Sequence, residues 1–241
     1  MRRVGVASAA FVLLATAVNV GATRPIDRFA HRHLQPLAGG NGHPRLRELT
    51  DVLLVPFAPA VAAAIIVCLA YLAYRRAGMR TALVWPVALA AGFAVELACK
   101  VTVQQDGNHS WRALTWSIDS SYPSGHALRA VLLAFAVAWL WPRSRALVAP
   151  ALLLVTVILV ANGWHSPTDV AGGLLAGLPI AWLALWLAES ESASLTRTTL
   201  RLADVRPRAR SPASAPRHRE MPARPSQVGL PATRVTWRGA C

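Results

Sequence analysis

Two short polar segments interrupt an otherwise apolar sequence, and their side chains could carry out phosphate-ester chemistry. Residues 122–126 read Tyr-Pro-Ser-Gly-His, and residues 164–169 read Trp-His-Ser-Pro-Thr-Asp. Together they supply two histidines, one carboxylate and a Ser-Gly turn. A histidine nucleophile, a second histidine as general acid and a helix N-terminus that binds an oxyanion could break a phosphate ester without a metal ion.

His165 and Asp169 are four residues apart, and Pro167 between them is typical of the first turn of a helix. This spacing lets the carboxylate face back towards the imidazole. A carboxylate that binds one ring nitrogen fixes the tautomer and leaves the other nitrogen as a nucleophile. The alternative is that Asp169 only caps the helix, with His165 at the membrane surface. Spacing alone leaves both interpretations open.

Ser124, Gly125 and His126 come directly before a hydrophobic run. Glycine at a helix start allows close backbone approach, and the free N–H groups and positive dipole end there favour an anion. A phosphate oxygen would suit this position, and His126 could protonate a leaving alkoxide. An ordinary turn into a helix would show the same pattern.

Lys100 is the only lysine among the 25 Lys and Arg residues, and it lies at the end of an apolar run. It could hold a phosphate as a compact cation, or its side chain could simply reach towards the membrane surface. Glu96 is one turn earlier and is expected to pair with it in the favoured order.

The elements that position these residues are membrane-spanning helices. The chain has 241 residues, of which 54% are hydrophobic, and a mean hydropathy of +0.39. A spanning helix needs roughly 20 apolar residues with few charges. Six segments are candidates: 4–21, 52–74, 81–100, 126–141, 146–162 and 168–188. A tight turn is expected at 142–145, between the fourth and the fifth. We therefore expect an all-α, polytopic membrane bundle of about six helices.

The net charge of +14 indicates how the protein is oriented in the membrane, rather than nucleic-acid binding. With six spans, the arginine groups at the N-terminus, at 75–80, at 143–145 and after residue 189 share one side, which the positive-inside rule makes cytoplasmic. Both termini would be cytoplasmic and both polar segments outside. The basic stretch within 22–51 is an exception that suggests an interfacial amphipathic helix. If residues 4–21 are instead a cleaved signal peptide, five spans remain.

The chain divides into two parts by composition. Residues 1–188 form the expected membrane domain. Residues 189–241 are rich in Arg, Pro and Ser and have no periodic apolar face, so they are predicted to be a disordered cytoplasmic tail. Three cysteines give no disulfide framework, and no Cys/His cluster has the spacing of metal ligands.

The order of Lys100, the Ser-Gly-His turn and the His165–Asp169 pair resembles the type 2 phosphatidic acid phosphatase family, which shares its core with vanadium haloperoxidases. That family has three motifs: Lys, six residues, Arg-Pro; then Pro-Ser-Gly-His; then Ser-Arg, five residues, His, three residues, Asp. The second motif is complete at 123–126, and the third keeps His165 and Asp169 at the family spacing. The resemblance covers about residues 20–188.

The resemblance implies a role for each matched residue. His165 would form a phosphohistidine, Asp169 would orient it, and His126 would be the general acid. Lys100, Ser124 and the Gly125 backbone would bind phosphate. No metal or other cofactor is implied.

Two family positions depart from the pattern. Gly107-Asn108 stands where the first motif has Arg-Pro, and Ile158-Leu159 stands where the third has Ser-Arg. A charge-assisted hydrogen bond to a buried anion contributes roughly 1.5–3 kcal/mol, so losing both arginines could cost on the order of 10²–10⁴ in rate. Arg112, between the first two motifs, and Arg129, one turn after His126, are candidates to supply the missing charge.

The expected function is hydrolysis of a lipid phosphate or pyrophosphate, of isoprenoid or phosphatidate type, in an outward-facing site of a bacterial inner membrane. The composition, rich in Arg and Ala and nearly free of Lys, suggests the bacterial source. The partners would be the lipid substrate and the membrane, and no nucleic acid. The alternative is a weakened or inactive relative that binds lipid phosphates or serves as a scaffold. Sequence alone leaves the lipid and the oligomeric state open.

Overall fold

A computed structural model describes residues 2–34, 44–103 and 121–204, with side chains described through residue 191 except at 44 and 46. These ranges contain helices and turns but no strand. The α-helices are, in chain order, α1 (Arg2–Asn19), α2 (Arg24–His33), α3 (Pro44–Leu54), α4 (Pro59–Ala77), α5 (Met79–Thr102), α6 (Gly125–Leu140), α7 (Arg145–Ala161) and α8 (Pro167–Asp204). Short 3₁₀ helices occupy Val55–Phe57 and Pro142–Ser144.

The predicted fold class, an all-α polytopic membrane bundle, is confirmed. Within the described ranges, five helices are long and apolar enough to cross a membrane: α1, α4, α5, α8, and α7 together with the 3₁₀ helix Pro142–Ser144 before it. The remaining apolar helix, α6, has 16 residues, which is about 24 Å at 1.5 Å per residue. The predicted tight turn between the fourth and fifth spans is the 3₁₀ helix Pro142–Ser144.

The shortest apolar helix is at the centre of the bundle. Most residues of α6 are buried, including Leu128, Val131 and Leu132, none of which has exposed surface. The main apolar cluster joins α6 to α4, α5 and α8, and a second cluster joins it to α7 and α8. Since α6 begins at the Ser-Gly-His turn, this packing fixes the position of that turn.

The second span begins later than predicted. The sequence suggested a span from residue 52, but α4 begins at Pro59, after α3 and the Val55–Phe57 3₁₀ turn. The cause is proline. Ala58, immediately before Pro59, adopts an extended conformation with φ −62° and ψ 144°, as steric conflict with the following proline ring favours.

The last helix extends beyond residue 188, where the sequence placed the end of the membrane domain. It continues to Asp204. Residues 205–241 lie outside the described residues, so the predicted tail remains a prediction.

Three glycines let α8 pack closely against α6 and the turn before it. A Cβ at Gly172 would overlap the Tyr122 ring, one at Gly173 would overlap the Ser124 carbonyl oxygen, and one at Gly177 would lie 2.9 Å from the Val131 Cβ. Small residues at a four-residue spacing allow this approach between membrane helices. The glycines therefore hold the second polar segment against the first.

Substituting Gly173 by alanine is expected to destabilise the protein by about 1–3 kcal/mol, because backbone must move to admit the methyl group. Thermal unfolding in detergent measures the change. Gly5→Ala in α1 is the matched control, because a Cβ there meets no atom within 4 Å. Equal unfolding temperatures for the two variants would contradict the close packing described.

Candidate active site

The Trp-His-Ser-Pro-Thr-Asp segment lies between two helix ends that determine its path. Helix α7 ends at Ala161 and is followed by the capping residue Asn162 and by Gly163, which has φ +73°. The Trp164 N–H donates to the Leu159 carbonyl at 3.1 Å and the Gly163 N–H to the Val160 carbonyl at 3.1 Å. This is the Schellman arrangement, and it turns the chain back across the end of the bundle.

Helix α8 begins with a reciprocal cap between Ser166 and Asp169. The Asp169 N–H donates to the Ser166 Oγ at 3.2 Å, and the Ser166 N–H donates to the Asp169 Oδ2 at 3.0 Å. Pro167 occupies the first helical position. The cap fixes the carboxylate, which is 1% exposed, in one orientation.

Asp169 caps α8, and the same carboxylate also faces His165, at a distance longer than a hydrogen bond. The His165 Nδ1 lies 3.7 Å from the Asp169 Oδ2. The Ser121 hydroxyl, which arrives from the segment before α6, also donates to that oxygen at 2.9 Å. With Nδ1 on the carboxylate side, the opposite ring nitrogen, Nε2, lies on the far side of the ring from Asp169.

The two histidines of the polar segments face each other. The ring centroids of His126 and His165 are 6.1 Å apart, and both side chains are partly buried. Trp164 packs edge-on against His126 with centroids 6.0 Å apart. The structure therefore brings together the three residues predicted to do the chemistry: His126, His165 and Asp169.

The Ser-Gly-His turn forms the start of α6. The Ala127 N–H donates to the Ser124 Oγ at 3.4 Å, so Ser124 caps the helix. The Ser124 N–H donates to the Asp169 carbonyl oxygen at 2.9 Å, which ties the two polar segments together. The first N–H groups of a helix have no partner within it, so those of α6 point out of its N-terminus.

The Tyr122 side chain packs in the interior next to this turn. Its side chain is fully buried and stacks against Phe11 of α1 with centroids 6.2 Å apart. Burial, and then the nearby Cys99 and Asp169, raise the pKa of the Tyr122 hydroxyl above its ordinary value. Tyr122 therefore remains uncharged, and α1 contributes to the support of the site.

A buried carboxylate joins the two described cations that were predicted to bind phosphate. The Glu96 Oε1 lies 2.9 Å from the Lys100 Nζ, and the Glu96 Oε2 lies 2.6 Å from the Arg129 Nη1. The Arg129 Nε donates to the Phe57 carbonyl at 2.6 Å. The predicted Glu96–Lys100 pair is present, and Arg129 is a third member that local spacing could not reveal.

Of the two positions that lack the family arginines, only the second lies within the described residues. Ile158 and Leu159 are 6% and 0% exposed and pack in the apolar cluster that joins α6, α7 and α8. They are structural core residues. Gly107, Asn108 and the predicted phosphate ligand Arg112 lie outside the described residues.

Helices α2 and α3, which belong to the basic stretch assigned to the outside, anchor the second polar segment. Asp27 of α2 accepts from the Thr168 hydroxyl at 2.7 Å and from its N–H at 3.3 Å. Asp51 of α3 accepts from the Trp164 Nε1 at 3.0 Å, and the Asn162 amide donates to the Thr50 hydroxyl at 2.6 Å. Helices α2 and α3 thus hold the residues on both sides of His165.

Sequence reasoning missed several of these supports. Gly173 and Gly177 were detectable as a small-residue repeat, and Ser166 with Asp169 as a capping pair. Ser121, Asp27 and Asp51 gave no local signal, because their partners are distant in sequence. Among the described residues, no three His, Cys, Asp or Glu side chains are grouped so that they could hold a metal ion.

Two comparisons with known proteins found similarities to this chain. Residues 100–192, from Lys100 through the apolar part of α8, match the family model of the PAP2 superfamily. The fold is similar to the crystal structure of a transmembrane PAP2 type phosphatidylglycerolphosphate phosphatase from Bacillus subtilis. The TM-score is 0.66 and the identity 19%, over 79% of this chain and 98% of that one. No curated protein matches the sequence. Residues 100–192 are therefore similar to the PAP2 superfamily, and the membrane bundle shares the fold of a transmembrane PAP2 type phosphatase.

Proposed function

We propose that this membrane protein hydrolyses the phosphate or pyrophosphate group of a lipid through a phosphohistidine on His165. The observation that carries the proposal is the pair of facing histidines, 6.1 Å apart between ring centroids, with a buried carboxylate behind one of them. A phosphoryl group between the rings would meet a nucleophile on one side and a proton donor on the other.

The reaction has two steps. In the first, the His165 Nε2 attacks phosphorus, the bond from phosphorus to the lipid oxygen breaks, and His126 gives its proton to the departing oxygen. In the second, His126 takes a proton from water, the water oxygen attacks phosphorus, and the bond from phosphorus to Nε2 breaks. Asp169 stabilises the positive charge on His165 while the first bond forms. These steps use no metal ion or other cofactor.

The start of α6 and the cations around Glu96 would bind the phosphoryl oxygens. The Ser124 oxygen accepts the cap from Ala127, so its own O–H can donate to phosphate. The Gly125 N–H and the Lys100 ammonium would contribute further. Arg129 would add positive charge from behind Glu96, and Arg112 is the other candidate cation.

An apolar groove supports a lipid as the substrate. It has a volume of about 320 Å³ and is lined by residues of α4, α6, α7 and the 3₁₀ turns, including Ile65, Leu133, Val137, Leu152 and Val155. Its lining also includes Ala130, which follows Arg129 in α6, and Phe57, whose carbonyl accepts from Arg129. A single lipid chain could leave the phosphate site along this groove.

We also propose an orientation. Both termini would be cytoplasmic and the histidines would face the outside of a bacterial inner membrane, because the arginine groups at the ends of the spans would then lie inside. The substrate would be taken from the outer leaflet.

Phosphate release from a panel of lipids tests the function. Isoprenoid phosphates and pyrophosphates, phosphatidate and phosphatidylglycerolphosphate would be offered to the purified protein with EDTA present. We expect turnover of at least one lipid in EDTA. Activity that requires added metal, or that is limited to phosphate compounds without a lipid chain, would contradict the proposal.

A lipid-phosphate binder without turnover is the second candidate. It is favoured by the apolar Ile158 and Leu159 at the positions of a family motif, and by the pairing of Lys100 and Arg129 with Glu96. Saturable binding of phosphate lipids by folded protein, with no phosphate released over hours, would establish it.

A further inference from the structure

Glu96 places a carboxylate beside the cations of the proposed phosphate-binding site. Such a site would ordinarily leave its positive charges available to bind phosphate. Glu96 is a buried residue of α5, 9% exposed, one turn from Lys100. A Cβ at Gly125 would overlap the Glu96 carboxylate at both oxygens and the carboxyl carbon. The carboxylate therefore packs directly against the first residue of α6, at the positive end of that helix.

The carboxylate also uses both described cations of the site. Oε1 pairs with Lys100 at 2.9 Å and Oε2 with Arg129 at 2.6 Å. A helix N-terminus, a lysine and an arginine together are an anion-binding arrangement, and the anion they hold in this structure belongs to the protein. The three side chains sum to a charge of only +1.

We infer that Glu96 is a built-in counter-anion that sets the affinity of the site for phosphate. The inference rests on the proposed function. A substrate phosphoryl group would have to share Lys100 with a carboxylate that repels it, because two anions near one low-dielectric position oppose each other. Glu96 thereby weakens the binding of the phosphate product and speeds its release. Glu96 sets the affinity and does not itself react.

Replacing Glu96 by glutamine tests this, because the amide keeps the size and removes the charge. Isothermal titration of the full-length protein with inorganic phosphate is expected to show a Kd lower by roughly tenfold or more. Glu48→Gln, the same change at an exposed position of α3, is the control and should leave the Kd unchanged. An unchanged or higher Kd for Glu96→Gln would overturn the inference, as would phosphate binding too weak to detect in every variant.

Removing one member of a buried ion pair is strongly destabilising, so Glu96→Gln could fail to fold. A second comparison tests the inference in that case. Arg129→Gln keeps the Glu96–Lys100 pair, whereas Arg129→Gln with Glu96→Gln frees Lys100 and leaves no unpaired buried charge. The double variant should bind phosphate more tightly than the single variant, and the reverse order would overturn the inference.

Turnover is measured separately on the lipid panel. Lipid hydrolysis together with an unchanged phosphate Kd in Glu96→Gln would refute only the role of Glu96, and not the enzyme activity. Tighter phosphate binding by Glu96→Gln, with no lipid hydrolysis by any variant, would refute only the proposed enzyme activity, and not the role of Glu96.

Discussion

Replacing His165 by alanine is expected to reduce phosphate release from the best lipid substrate by roughly 10⁴-fold or more, because the covalent route disappears with the nucleophile. Asp169 should keep its cap with Ser166 and its bond from Ser121, so the fold should be retained. Steady-state phosphate release and thermal unfolding measure the two quantities.

His31→Ala is the matched control for this substitution. His31 is exposed on α2, so its loss should change activity by less than about twofold. If His165→Ala kept a tenth or more of the activity while folded, another group would be the nucleophile and the assignment of His165 would be wrong.

Replacing His126 by glutamine is expected to cost roughly 10²–10⁴-fold on lipid phosphates, whose alkoxide leaving group needs a proton. An aryl phosphate such as p-nitrophenyl phosphate has a leaving group that departs without one. With that substrate we expect a burst of about one nitrophenol per protein, followed by slow turnover, because water attack in the second step still lacks its base. Stopped-flow absorbance measures the burst.

The wild-type protein on the same two substrates is the reference for this comparison. A loss of equal size on the lipid and the aryl phosphate, with no burst, would mean that His126 positions the substrate rather than transferring a proton.

The sequence predicted the central helices well because their starts have local causes. Ser124 and Gly125 mark the start of α6, and Ser166 and Pro167 mark that of α8. Both observed helices begin within one residue of the predicted spans. The second span was misplaced because hydropathy does not register the restriction that Pro59 imposes on Ala58.

The arrangement of the candidate site residues was predictable in part. The spacing of His165 and Asp169 indicated their pairing, and the Ser-Gly-His turn indicated the helix start near them. Arg129 was expected to bind phosphate, but the structure shows it paired with Glu96 and with the Phe57 carbonyl. Its partners lie 33 and 72 residues away in sequence, so no local pattern could have shown them.

The supports around His165 were unpredictable for the same reason. Asp27 and Asp51 lie in a basic stretch with no local pattern that marks them, and only the tertiary fold brings them to Thr168 and Trp164. Interactions between residues distant in sequence thus determine how firmly His165, the proposed nucleophile, is held, whereas local spacing is what singled it out.

Trapping the phosphoenzyme is the most direct test of the central claim, that His165 carries the phosphoryl group. The protein would be mixed with lipid substrate labelled with ³²P, quenched within milliseconds in alkali, digested and mapped. The account predicts one label on His165, stable in alkali and labile in acid, that is absent from His165→Ala. Turnover without any trapped label, or a label on a different residue, would contradict it.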